Sequence, residues 1–311
     1  MTTVCPALLP GYRLNRAPLI LCAYDNDFLN AAAQFRRALP EKPAWWFLQF
    51  GWQHESAVMA DAFAADLRAA KEAAPWWNFV VLANTPREAE AMQTRGVEAY
   101  FCHQNAFLDP QHYPLAEKPR KRYDAIYVAR ITPFKRHALA ARIASLRLIG
   151  GHAAREQAYF EETMRLLNHA DWSRQCRSRR MSRAMAEAHC GLALSAEEGA
   201  MFVSAEYLLS GIPVVNTANL GGRDLMLPEF AVRRAADTPE AVAEAVAWWR
   251  DHAPEPRALR EGFLELAAPH RRFLRELIAE KTGVTMNHFP HKLGLRCRLR
   301  PWQRWSHGVN A

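Results

Sequence analysis

Residues 195–225 read SAEEGAMFVSAEYLLSGIPVVNTANLGGRDL, and this stretch decides the fold. A strand ends near Ser195, a short acidic loop with Gly199 follows, and a helix opens near Ala200. Gly211 stands where a helix stop is expected, and residues 212–216 (IPVVN) form a short apolar run of buried-strand type. Strand, loop, helix and strand in this order are the unit of a parallel sheet. The helix N-terminus would turn its backbone N–H groups and positive dipole end toward a ligand, an arrangement suited to a diphosphate. Glu198 in the loop and Glu206 on the helix are acceptors for paired hydroxyl groups, as a polyol offers. Taken alone, two such glutamates are more often a solvated helix face.

The same alternation extends in both directions. Upstream, residues 124–129 (DAIYVA) read as a strand, with helix expected through Ser145, a strand at 146–149 and Gly150-Gly151 after it. Helix-like segments at 159–168 and 181–189 lead to a strand at 191–194. Further upstream, the apolar runs 18–24 (PLILCAY), 44–50 (AWWFLQF), 78–83 (NFVVLA) and 97–102 (VEAYFC) alternate with helix-like stretches at 28–39, 57–73 and 86–95. Thr85 is placed to cap the last of these helices, with Pro86 at its first position. The Pro- and charge-rich stretch 109–122 (DPQHYPLAEKPRKR) breaks the pattern and marks a linker, and residues 257–282 read as one or two long helices. Two tandem α/β domains follow, with ligand chemistry expected at the carboxyl ends of their strands and in the cleft they face.

The motif at 195–225 resembles the nucleotide-sugar half of family 4 glycosyltransferases of the GT-B fold. Their signature is a Glu-x(7)-Glu pattern running into a helix and strand of the form EAMxxGxPVV, then a Gly-Gly loop. Glu198, Gly199, Glu206, Gly211, Pro213, Val214, Val215, Gly221 and Gly222 stand at the matching positions. The segment YVARITPFKRH resembles the family's GRxxxxKG element, with Arg130 and Lys135 in place, and residues 101–113 resemble its interdomain crossing, with Asn105 and Asp109 near the key positions. The resemblance covers about residues 75 to 283. It implies a GT-B protein with two Rossmann-like domains facing a cleft, the first reduced. The expected division is an acceptor domain at 1–115, a nucleotide-sugar domain at 116–268, a crossing helix at 269–285 and a basic tail at 286–311.

The activity implied is transfer of a sugar from a nucleotide diphosphate sugar to a saccharide or lipid-linked acceptor, with retention and without a metal or other cofactor. Arg130 and Lys135 would hold the diphosphate, one by forked hydrogen bonds and the other as a point charge. Glu198 would contact the donor sugar and Glu206 the ribose, with Gly199, Ala200, Met201, Phe202, Gly221 and Gly222 lining the donor loop. Family members often place a His or Asp of the first domain beside the reacting sugar. Here the candidate is His54, with Glu55 next to it. Met201 adds bulk where the family carries a Gly-aromatic-Gly loop, and the alternative reading is a non-catalytic glycosyltransferase-like binding or scaffold protein.

Composition bounds the rest. The chain has 311 residues, 50% apolar, with 40 Lys+Arg against 32 Asp+Glu, which excludes disordered and fibrous classes. No apolar run reaches the roughly 18–20 residues of a membrane span, no secretory leader is read at the start, and six scattered cysteines suit a reducing compartment, so a cytoplasmic protein is expected. Residues 286–311 hold Lys292, Arg296, Arg298, Arg300 and Arg304 without an acidic residue, interleaved with Leu293, Leu295, Leu299, Trp302 and Trp305. This suits an anionic membrane surface as well as a solvated tail, and would fit an envelope-polysaccharide enzyme peripheral to the membrane. Nucleic acid is not an expected partner. Asp25-Asn26-Asp27 has the form of a metal-holding Asp-x-Asp triplet, but reads as a strand-end turn in which Asp25 or Asp27 caps the next helix. Trp45-Trp46 and Trp76-Trp77 read as buried aromatics rather than a sugar platform.

Overall fold

The computed structural model describes residues 10–117, 119–176 and 178–293. Lys118, Arg177 and the tail from residue 294 onward, with its four arginines and two tryptophans, lie outside them. The described residues form two compact units: residues 10–107 with 269–293, and residues 108–268.

The first unit is a five-stranded sheet in sequential order: β1 (Tyr12–Asn15), β2 (Leu19–Tyr24), β3 (Ala44–Gln49), β4 (Trp77–Ala83) and β5 (Ala99–Phe101). β2 to β5 are parallel, and β1 is an antiparallel edge strand. Helices α1 (Asp25–Ala38), α2 (Ala57–Ala73) and α3 (Pro86–Gln93) make the crossovers. Because the order is sequential and such crossovers are right-handed, all three lie on one face, where Phe28, Phe35, Phe63 and Met92 join Trp46 and Trp77 in one core. The Trp46 and Trp77 rings lie 5.6 Å apart and are fully enclosed, so they are core residues. Alternate strand residues Ile20, Cys22, Phe47, Val80 and Leu82 are buried on the opposite face. Thr85 and Glu88 close a capping box on α3, with Pro86 at its first position.

One local expectation is corrected. Neither Asp25 nor Asp27 caps a helix, because the chain turns so tightly out of β2 that α1 begins at Asp25 with Tyr24 as an uncapped N-terminus. The Asp25 carboxylate turns inward, accepting a hydrogen bond from the Gly51 N–H at 3.0 Å.

The second unit is a six-stranded, wholly parallel sheet: β6 (Tyr123–Val128), β7 (Leu146–Ile149), β8 (Asp171–Ser173), β9 (Ala188–Ala193), β10 (Val214–Asn216) and β11 (Val232–Arg234). Its spatial order, β11-β10-β9-β6-β7-β8, is the doubly wound order of dinucleotide-binding sheets. Chain direction across the sheet reverses between β6 and β9, and the crevice beyond their carboxyl ends is where such sheets bind ligands. Helices α4 (Gln157–Leu166), α5 (Ser178–Ala186), α6 (Phe202–Leu209) and α7 (Pro239–His252) complete the unit. Gly191 lets Tyr207 of α6 lie flat on β9, since a Cβ there would stand 2.2 Å from the ring.

Two further corrections concern this unit. The helix expected through Ser145 is replaced by two 3-10 turns, Pro133–Lys135 and His137–Ala140, because Arg136 between them is left-handed at φ 51°. Residues 108–115, expected with the first domain, belong to the second unit, where Arg260 donates to the carbonyls of Tyr113 and Pro110. The expected crossing helix is the latter part of a single helix, α8 (Pro256–Thr282), with Pro269 inside it. From Pro269 onward α8 belongs to the first unit, with Phe273 5.6 Å from Tyr100 and His270 4.8 Å from Phe101.

Candidate nucleotide-sugar site

The switch point of the second sheet is where the sequence motifs converge. After β6 the chain passes Arg130 and enters the Pro133–Lys135 turn, whose Lys135 carbonyl accepts the Tyr127 hydroxyl. Arg136 then locks the turn to the neighbouring strand ends: its guanidinium donates to the Leu194 carbonyl and the Thr217 hydroxyl, each at 2.6 Å, and to Asp237 at 2.7 Å. With a further bond to the Ala218 carbonyl at 3.3 Å, the left-handed backbone at Arg136 is held by four anchors.

Beyond β9, the loop with Glu198 is stitched to the loop with Gly221 and Gly222. Glu198 N–H donates to the Leu220 carbonyl at 3.0 Å, Leu220 N–H to Ala196 at 2.8 Å, and Gly222 N–H to Gly199 at 2.7 Å. Gly221 sits at φ 103°, a backbone that needs glycine. Under both loops lies Arg223, fully buried, its fork bound to the Ser195 and Thr217 carbonyls and to Asp224. Arginine at this position is normally read as surface, so the sequence carried no sign of this anchor.

Lys135 and Glu198, 63 residues apart, form an ion pair with both side chains about one-tenth exposed. Burial pushes the Lys135 ammonium down, Glu198 holds it up, and the nearby Arg130 and Arg223 push it down again. Three cationic groups thus lie within electrostatic reach of one another, with Glu198 paired to Lys135 and Asp224 to Arg223. Arg130 itself is exposed and lies 5.7 Å from the Phe134 ring centroid. It also borders an open depression of about 630 Å³ at the ends of β6 and β7, lined further by Gly150, Gly151, His152, Gln175 and Cys176. Gly150 is obligatory there, since a Cβ would fall 1.7 Å from the Ala129 carbonyl oxygen. Lys135, Glu198 and Glu206 do not border this depression.

Helix α6 begins at Phe202, two residues later than expected, because Met201 is left-handed at φ 44° and its carbonyl takes both the Ser204 N–H and hydroxyl. Ala200 and Met201 are buried in front of it. Glu206, 8% exposed, accepts a hydrogen bond from the Tyr113 hydroxyl at 2.9 Å. All the expected donor residues therefore belong to the second unit.

His54 belongs to the first unit. It is 4% exposed, stacked 3.9 Å from Phe50, with Nδ1 3.0 Å from the Trp52 carbonyl and Nε2 3.3 Å from Asp25. Burial pushes its ring down and the Asp25 carboxyl up. Glu88 accepts the backbone N–H groups of His54, Asn84 and Thr85, and burial pushes its carboxyl up to about 7. These contacts tie the ends of β3 and β4 together.

HepE from Anabaena, solved with UDP, aligns with 84% of this chain and 78% of its own at 16% identity and a TM-score of 0.60. Sucrose-phosphate synthase from Thermosynechococcus elongatus aligns with 84% and 74% at 16% identity and a TM-score of 0.56. A glycosyltransferase from Rickettsia africae aligns with 82% and 81% at 13% identity and 0.55. The chain has the GT-B fold. No family model matches it, and no curated protein does. Within the GT-B frame, the second unit carries the doubly wound sheet and the Lys135–Glu198 pair at its switch point. Among the described residues no helix is long and apolar enough to cross a membrane, and no three potential metal-ligating His, Cys, Asp or Glu side chains are grouped.

Proposed function

We propose that this GT-B protein is a glycosyltransferase that takes a sugar from a nucleotide diphosphate sugar to a saccharide or lipid-linked acceptor, retaining the anomeric configuration and using no metal. The observation that carries the reading is the buried Lys135–Glu198 pair at the switch point, with Arg130 beside it and Glu206 on the following helix. A diphosphate is the ligand class that such a cationic group stabilises, all the more as negative charge grows on the leaving oxygen. Arg130 and Lys135 would hold it, Glu198 would take donor-sugar hydroxyls, and Glu206 the ribose. The leaving phosphate oxygen would accept the acceptor's proton as the new glycosidic bond forms, so no separate base is required. The depression lined by Gly150, Gly151 and Gln175 is of a size to take a base.

Two observations favour the second reading, a binding protein without turnover: Met201 fills the donor loop in a left-handed conformation, and His54 is buried. The test is thermal-shift and calorimetric titration with UDP, GDP, ADP, dTDP and their common sugars, with and without Mg²⁺, followed by donor-turnover assays. Metal-independent binding lost in Glu206→Ala, and turnover reduced by orders of magnitude in Lys135→Ala, are expected. Binding without turnover selects the second reading, and full activity in both variants rejects the site. The basic tail at 286–311 would add contact with an anionic membrane, and equal liposome binding by chains with and without it rejects that part.

A further inference from the structure

The Tyr113 hydroxyl reaches the Glu206 carboxylate from 93 residues away in sequence, and both side chains are buried. The turn that delivers it is fixed on every side. Asp109 caps the Pro110–His112 turn by accepting the Gln111 N–H at 2.9 Å, and Tyr113 N–H closes on the Pro110 carbonyl at 3.1 Å. From α8, Arg260 donates to the carbonyls of both Pro110 and Tyr113, and from α5 the Ser182 hydroxyl donates to Pro114 at 2.8 Å. A phenol needs none of this to fill a hydrophobic gap. Such a frame does suit setting an O–H···O⁻ bond, which is directional and stronger than a neutral hydrogen bond.

We propose that Tyr113 is a positioning residue for Glu206, and that through this carboxylate it sets the preference of the site for ribonucleotides over deoxyribonucleotides. The inference rests on the reading of Glu206 as the ribose contact. A carboxylate on a two-bond stem turns about its last torsion. The Tyr113 hydroxyl, donating to Oε1, fixes that torsion, so a diol meets lone pairs already oriented and little order is lost on binding. Without the hydroxyl the carboxylate remains but its plane is no longer set, and discrimination falls while general nucleotide affinity is kept.

The experiment compares Tyr113→Phe, which removes one oxygen atom, with Glu206→Gln and the unaltered chain. Dissociation constants are measured by calorimetry for whichever of UDP, GDP and ADP binds best, and for its 2′-deoxy counterpart. The unaltered chain is expected to prefer the ribo form at least tenfold, Tyr113→Phe to reduce that ratio at least threefold with affinity for the deoxy form within twofold, and Glu206→Gln to remove most of the ratio. A ratio unchanged in Tyr113→Phe, including a variant in which both nucleotides weaken equally, overturns the positioning role and leaves Tyr113 structural. A ratio unchanged in Glu206→Gln overturns the ribose role of Glu206, and with it this inference. Binding of dTDP alone by the unaltered chain overturns the ribo preference, and binding of none of the four diphosphates overturns the nucleotide reading itself. Thermal unfolding of Tyr113→Phe within about 3 °C of the parent keeps these outcomes apart from a folding defect.

Discussion

Lys135 and Glu198 neutralise each other in a buried pair that spans the carboxyl ends of β6 and β9. Breaking such a pair from one side leaves an uncompensated charge, a loss of about 3–5 kcal/mol, whereas replacing both partners by neutral groups of similar shape is far milder. Lys135→Met and Glu198→Gln should therefore each destabilise the chain more than the double variant does. Denaturant unfolding of the two single variants and the double variant checks this, and strictly additive losses would remove the coupling.

Arg223 makes a second prediction, about the loops rather than the pair. Its guanidinium holds Ser195 and Thr217 carbonyls and Asp224 without any exposure to solvent. Arg223→Met should cost about 3–5 kcal/mol, and Arg223→Lys should recover only part of it, since an ammonium cannot span both carbonyls in a plane. Equal stability of the Lys variant and the parent would show that charge alone suffices.

His137 predicts the acid limb of stability. Burial, helped by the Lys135 ammonium, pushes its ring down to about 3. In the unfolded chain a histidine titrates near 6.5, so between these values only the unfolded state takes the proton. The contribution of His137 is present above about pH 6.5 and is lost as pH falls, at up to about 1.4 kcal/mol per pH unit. Melting temperatures from pH 8 to 4.5 should fall less steeply in His137→Phe than in the parent, and parallel curves would exclude the effect.

Gly191→Ala tests the contact between α6 and the sheet. The added carbon would collide with the Tyr207 ring, whose hydroxyl accepts the Val128 N–H at 2.9 Å. Overpacking of this kind costs about 1–3 kcal/mol. A chemical denaturation midpoint equal to that of the parent would mean that the ring moves freely.

Much of the fold was legible because it rests on local chemistry. Apolar runs such as 44–50 and 78–83 and the Thr85-Pro86-Glu88 cap report their structure wherever they occur. Strands β8 (DWS) and β11 (VRR) carry no apolar run to mark them, while α7 carried a readable signal, Thr238 capping with Pro239 at the first position. The 3-10 turns around Arg136 were not legible, since the left-handed residue is held by Leu194, Thr217 and Asp237, which only the tertiary fold brings near. The same applies within the candidate site. The resemblance of the 124–137 and 195–225 segments to the glycosyltransferase motifs singled out Arg130, Lys135, Glu198 and Glu206, but the Lys135–Glu198 pairing, the Tyr113 contact and the burial of Arg223 depend on partners distant in the chain or on an arginine defying its usual exposure.

The division of the chain sets an order of assembly. Residues 108–268 are continuous, so during synthesis the second unit has all of its strands before the latter part of α8 is made. The first unit waits: its sheet is translated early, yet Arg271, which donates to the Ala106 carbonyl, and Lys281, 2.9 Å from Glu98, arrive last. A nascent chain therefore carries an amino-terminal sheet that still lacks the latter part of α8, and this is the interval in which its apolar strands most need protection from aggregation.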